Sequence, residues 1–296
     1  MSEVKPLVSI ILPTYNGAKY LPEAIESCVS QTYAAWELVV VDDCSTDATP
    51  GIIAEYAAHD GRIRGIRHKV NMKLPGALNT GHAAAKGSYL SWTSDDNRFL
   101  PSAFEEMERF LEQNPALGLV YADSVAIDEA GNHLRDFPAQ PASRLAYFNA
   151  LGACFLYRTS VYQVIGAYDA DLFLAEDYDY WLRVYRQFEI AHLPRVLYQY
   201  RFHGDSLTST HPAAAVRTNV ERILRRHLPY LGRSSAHDRA RGWMVCAGAA
   251  ARRWAPLPAA DALARALWTA PLFSVAYGAK RLVRLVRESL RPPRPW

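Results

Sequence analysis

The chain of 296 residues is long enough for one large core, or for a core with an appendage. Half of it is hydrophobic and 11% is aromatic, which excludes a largely disordered protein. The net charge of +3 conceals an asymmetry: residues 211–296 hold 16 Lys/Arg against 4 Asp/Glu, and residues 1–210 hold 17 against 26, so an acidic body carries a basic tail.

In chain order, "LVSIILP" (7–13) is a β-branched run apolar on both sides, as a central parallel strand requires. A helical pattern follows through "YLPEAIESCVSQ", then a strand "ELVVVDD" (37–43), a helix over 47–58 and a strand over 63–68. A helix near 75–86 leads into a strand at 88–94, and a helix near 101–113 into "GLVYA" (118–122). This alternation at βαβ spacing predicts an α/β fold, a doubly wound, mostly parallel sheet. "DSVAIDEAGNHLRDF" reads as a hairpin turning at Gly131-Asn132. A mixed region then runs through "ACFLYR", an aromatic helix over 176–188 and strands near 189–202. The expected organisation is a regular α/β part (1–122), a mixed part (123–210) and a basic helical extension (211–296).

Cys28, Cys44, Cys154 and Cys246 lack framework or metal-cluster spacing. "MSEVKPLVSIILP" has no signal-peptide core, and no apolar stretch is long enough to span a bilayer, so a cytoplasmic protein is expected.

In open α/β sheets, ligands sit beyond the carboxyl ends of the strands. Three predicted strand ends carry polar clusters: "PTYNG", "DDCSTD" and "SDDN". Each has a plainer reading as a turn, a helix cap or a loop. Capping fits Ser45, Thr46 and Asp47, but not Asp42 and Asp43, which precede the cap. The adjacent carboxylates Asp95 and Asp96 repel unless a cation or donors sit between them. No glycine-rich phosphate loop is present, so a diphosphate would need carboxylates with Mn²⁺ or Mg²⁺. Asp96 then suits the metal and Asp95 a ribose hydroxyl.

Together, "VSIILPTYNGAKYLPEAIESCVSQTY", "WELVVVDDCSTDAT", "NTGHAAAKGSYLSWTSDDN" and "LAEDYDYWLRV" resemble the inverting, nucleotide-sugar-dependent glycosyltransferases of family two, with the GT-A fold. The resemblance covers roughly residues 6–205, and "WTSDDNRFLP" is similar to the spore-coat polysaccharide subgroup. It implies that residues 1–122 are a nucleotide-binding half and 123–210 an acceptor-binding half. It also implies that Tyr15 lies against the base, Asp43 bonds the base, Asp95 holds the ribose and Asp96 the metal. Asp177, beside Glu176, would be the catalytic base. Pro13, Asn16 and Asp42 join the candidate nucleotide-sugar-binding residues. His203 is a candidate further metal ligand, and Lys73 and Asn79 are candidates to reach the base or diphosphate. Cys44 stands where the family usually has Gly or Asn, and Ser94 replaces the first acid of a DxD motif.

Asp177 opens an aromatic helix whose dipole favours the ionised form, and Trp181 at i+4 is expected to wall a sugar pocket. The expected reaction is metal-dependent, non-processive transfer from a nucleotide-diphospho-sugar, expected to be UDP-linked, to a glycan or lipid-linked saccharide. The rival readings are a non-catalytic glycosyltransferase-like scaffold and a sugar nucleotidyltransferase. Residues 270–296 place apolar side chains at helical spacing among basic ones, which suits an anionic membrane surface, packing on the catalytic domain or a dimer. No pattern supports nucleic-acid binding.

Overall fold

The computed structural model describes residues 5–278. The first strands form where the sequence is apolar on both sides. β1 (Val8–Thr14) is buried at every residue, as is β2 (Trp36–Asp42). They pair in parallel from Val8–Trp36 to Thr14–Asp42. β3 (Ile63–Arg67) extends the sheet beyond β2, and β4 (Tyr89–Trp92) pairs in parallel on the other side of β1. The intervening helices are α1 (Leu21–Val29), α2 (Thr49–His59) and α3 (Lys73–Ala84).

Strand alternation divides the core. Ile10, Leu12, Leu38 and Val40 pack with Leu21, Ile25 and Cys28 of α1 and Ile53 of α2. Val39 and Val41 face the other way, against Ala77 of α3. Gly81 lets α3 approach that face, because a Cβ there would lie 2.3 Å from Ile11 Cγ2.

After β5 (Arg98–Phe99) and α4 (Ala103–Gln113), the sheet becomes mixed. The long strand β6 (Leu117–Ile127) turns at Gly131, whose φ is +87°, into β7 (His133–Phe137), giving the expected hairpin. β8 (Phe155–Arg158) runs antiparallel between β4 and β6. α5 (Thr159–Ile165) and α6 (Glu176–Gln187) lead to β9 (Glu189–Arg201), which is parallel to β6, and β5 pairs with β9. The order is β3-β2-β1-β4-β8-β6-β9-β5, with β7 on β6. The parallel part is therefore confined to β1–β4 and the β6/β9 pair. β6 and β9 are single long strands rather than the shorter pieces expected, because register shifts at residues 117–124 let them follow one another through a bend.

After the short α7 (Leu207–Thr210) come α8 (Ala213–His227), α9 (Ala236–Arg252), α10 (Pro256–Thr269) and a helical stretch over 271–278. Among the described residues the chain divides into two compact units: residues 5–142 with 149–215, and residues 143–148 with 216–278. The sequence reading placed a boundary at 211 and missed the excursion of 143–148. That segment runs over Gly242 of α9, where a Cβ would lie 2.1 Å from the Ala146 carbonyl oxygen. Among the described residues, no helix is long and apolar enough to cross a membrane. Much of the 270–296 stretch, for which a membrane surface, packing on the catalytic domain and a dimer are the expected alternatives, lies outside the described residues.

Candidate active site

Because β1, β2 and β4 are parallel, their polar C-terminal ends share one edge. The first two ends are tied together. The Asn16 amide donates to Ser45 Oγ (2.9 Å), Asn16 Oδ1 accepts from the Thr46 amide (2.8 Å), and the Asp43 amide donates to the Thr14 carbonyl (2.9 Å). Two residues here are left-handed, Asn16 at φ 54° and Cys44 at φ 70°. Asn tolerates that region, whereas Cys takes it at some strain, which is the physical content of the Gly or Asn expected at position 44.

Asp42 is buried in the turn, accepting from the Ser45 amide (2.8 Å) and pairing with Arg67 (3.2 Å). Asp43 Oδ1 is fixed by the Met72 amide and by His68 Nδ1, both at 2.7 Å, and His68 in turn meets Thr80.

The third end carries the acids. Thr14 Oγ1 donates to Asp95 Oδ2, and Gly17 leaves room for this: a Cβ there would lie 2.0 Å from that oxygen. Burial, then the neighbouring Asp96 charge, raises the Asp95 carboxyl to about 7. Asp96 Oδ2 lies 2.9 Å from His203 Nε2. Asp96 Oδ1 and His203 Nδ1 are buried without a hydrogen-bond partner. Arg201, fully buried, holds this corner: its Nε donates to the Asp96 carbonyl (2.9 Å) and a terminal nitrogen to Glu23 (2.6 Å).

A cavity of about 440 Å³ opens over these groups. Pro13, Tyr15, Asn16, Asp43, Lys73 and Asp95 of the predicted donor-binding residues line it, as do Asp96 and His203. Tyr15 is 52% exposed, leaving its ring available for stacking. Lys73, at φ 65°, has its ammonium 6.0 Å from the Phe173 ring centre, and Phe173 also lines the cavity.

Three expectations are corrected. Trp181 does not wall a pocket: its side chain is fully buried, edge-on to Phe155 at 4.5 Å and to Tyr157. The face of α6 bearing it is core, so the i+4 spacing located a packing residue. Asn79 does not line the cavity, because its amide is committed to Tyr168, donating to its carbonyl (3.0 Å) and accepting from its amide (2.8 Å). Asp42 likewise shapes the turn instead of lining the cavity.

Glu176 and Asp177 open α6, beyond Leu174 at φ 77°. Neither lines the cavity, but Phe173, four residues before Asp177, does. Asp177 Oδ2 accepts from Asn149 Nδ2 (2.7 Å) and Oδ1 from the Tyr178 amide (2.7 Å). Burial raises the Asp177 carboxyl, and these two donors act against it. Burial and the Asp177 charge raise Glu176 to about 8. Sequence reasoning missed Asn149, Arg201, Thr14 and His68. Only Thr14 lay inside a motif, and the others reach the site through long-range contacts.

Among the described residues no group of three His, Cys, Asp or Glu side chains could hold a metal. The Asp96–His203 pair nevertheless fits a divalent cation that takes its other ligands from a bound anion. It offers a carboxylate and an imidazole, and the buried Asp96 Oδ1 has no hydrogen-bond partner.

The family model of glycosyl transferase family 2 matches residues 9–166. The chain belongs to that family. It is 34% identical over 219 residues to an uncharacterized glycosyltransferase of Rickettsia prowazekii, covering 69% of this chain and 67% of that one. It is 34% identical over 211 residues to EpsE of Bacillus subtilis, a protein named as a glycosyltransferase, covering 68% and 75%. Other relatives are far longer: the match to protein y4gI of Sinorhizobium fredii, at 30% identity, covers 75% of this chain but 25% of that one. Among solved structures, S. aureus TarS in complex with UDP-GlcNAc superposes with a TM-score of 0.62 at 18% identity over 91% of this chain and 83% of that one. The mannosyltransferase PcManGT of Pyrobaculum calidifontis, in complex with GDP-Man and Mn²⁺, gives 0.60 at 19% over 96% and 81%. The fold is GT-A, and this family 2 chain is a glycosyltransferase.

Proposed function

We propose that this family 2 enzyme is a divalent-cation-dependent, inverting, non-processive glycosyltransferase that draws on a nucleotide-diphospho-sugar, UDP-linked by preference. The observation that carries the reading is the cavity where Asp95 and the Asp96–His203 pair meet beside Tyr15 and Asp43. Tyr15 lies against the base, Asp43 accepts from it, and Asp95 accepts from the ribose. Asp96 and His203 hold Mn²⁺ or Mg²⁺, which when bound offsets the charge of the departing diphosphate. Lys73 adds a cation on the same wall. The donors in the two superposed complexes, a UDP-sugar and a GDP-sugar with Mn²⁺, support a nucleotide-sugar donor and a cation.

Asp177 removes the acceptor hydroxyl proton as the new glycosidic bond forms at the anomeric carbon and the bond to the diphosphate breaks. One displacement inverts the configuration. The acceptor is a glycan or lipid-linked saccharide, used in the cytoplasm or at the cytoplasmic face of a membrane. Residues 1–215 apart from 143–148 supply every group named here.

The test is nucleoside diphosphate release from UDP-, GDP- and dTDP-sugars, with and without Mn²⁺, by the wild type and Asp177→Asn. The expected result is metal-dependent turnover of one nucleotide class, lost in the variant. Equal turnover by Asp177→Asn would overturn the assignment of the base.

A further inference from the structure

α10 is built inside out. Its buried side chains are the small Ala262 and Ala266, in a unit where α9 also buries Ala240, Ala247 and Ala250. At 100° per residue, Leu257, Ala260, Leu263, Ala264, Leu267 and Trp268 fall within an arc of about 140° on the outer side. Trp268 is 91% exposed and Leu257 82%, with Leu263 and Leu267 also exposed. The same character continues on both sides, in Trp254 (92%) at the preceding turn and Leu272 (89%) in the following helix. A surface helix usually buries its large apolar residues and shows polar ones to water, the reverse of this arrangement.

We propose that this face of α10, with Trp254 and Leu272, seats the protein on an anionic lipid bilayer. The chemistry selects lipid as the occupant. Leu and Trp suit the boundary between headgroups and acyl chains, where indole is favoured. The unit is strongly basic: Arg252 and Arg253, the latter paired with Glu221, immediately precede Trp254, and residues 279–296, which follow directly in the chain, hold six Lys/Arg and one Glu. A second copy would bring the same positive charge, whereas an anionic surface complements it. Asp261, the one acid on α10, is neutralised by Arg225 and Arg265.

The experiment is flotation of the full chain with phosphatidylcholine vesicles, with or without phosphatidylglycerol, for the wild type and the double variant Leu257→Glu with Trp268→Glu. Both positions are exposed, and circular dichroism checks that the fold is kept. The wild type is expected to float only with the anionic vesicles, less in high salt, and the variant to partition at least tenfold more weakly. Donor turnover without lipid should be unchanged in the variant, so failure here is separable from failure of the catalytic reading. Absence of flotation, or equal flotation by both proteins, would overturn the proposal. So would a wild-type dimer that the double variant dissociates in light scattering, since a second copy would then cover the face.

Discussion

Asn149 offers the sharpest test of the proposed base, Asp177. Its Nδ2 donates to Asp177 Oδ2 at 2.7 Å, against a burial that raises that carboxyl. In Asn149→Ala this donor is lost while the burial remains. A hydrogen bond to a charged group contributes about 1.5–3 kcal/mol, so its loss disfavours the ionised carboxylate and the carboxyl should rise further. A base acts ionised, so the acidic limb of kcat against pH should move upward. Activity should largely recover at pH values above the shifted limb. The assay is nucleoside diphosphate release across the pH range, with the metal held saturating. A uniform fall in rate with the limb unmoved would refute the reasoning and make Asn149 a packing residue.

Other consequences follow from the same geometry. Glu176 is raised from 4.5 to about 8 in the folded chain, so the folded state keeps a proton that the unfolded state releases. Stability should therefore fall as pH rises through that window, by at most about 5 kcal/mol from this group. Urea unfolding of Glu176→Gln should show a flatter pH dependence than the wild type, and identical slopes would count against the assignment. Gly17→Ala places a Cβ 2.0 Å from Asp95 Oδ2 and should weaken nucleotide binding by tenfold or more, about 1.4 kcal/mol, with the melting temperature little changed. Trp181→Ala should cost about 3–5 kcal/mol of stability in urea unfolding, as expected of a core aromatic. A stable Trp181→Ala with only a raised donor KM would restore the sugar-wall reading.

The strands that build the site were legible because β1 and β2 are apolar on both sides, a pattern that only a covered parallel sheet explains. Parallel direction then brought "PTYNG", "DDCSTD" and "SDDN" to one edge without any knowledge of side-chain positions. Periodicity could not reveal β5, which is two residues long, or the 143–148 excursion, whose partner Gly242 lies nearly a hundred residues away. Trp181 shows the limit most clearly. Its spacing from Asp177 was read correctly, but spacing gives a shared face and not whether that face meets a ligand or the Phe155 and Tyr157 rings. Asn79 failed similarly: an amide in a motif can serve the backbone, here that of Tyr168. Arg201 is invisible for another reason, since a strand-end arginine ordinarily reads as solvated.

The central claim is that Asp96 and His203 hold a cation at the donor cavity. Its most direct measurement is calorimetric titration of UDP, GDP and dTDP, each with and without Mn²⁺, into the wild type and Asp96→Ala. The account predicts metal-dependent binding of one nucleotide, UDP first among them, that is lost or much weakened in Asp96→Ala. Nucleotide binding that ignores both the metal and the substitution would contradict it.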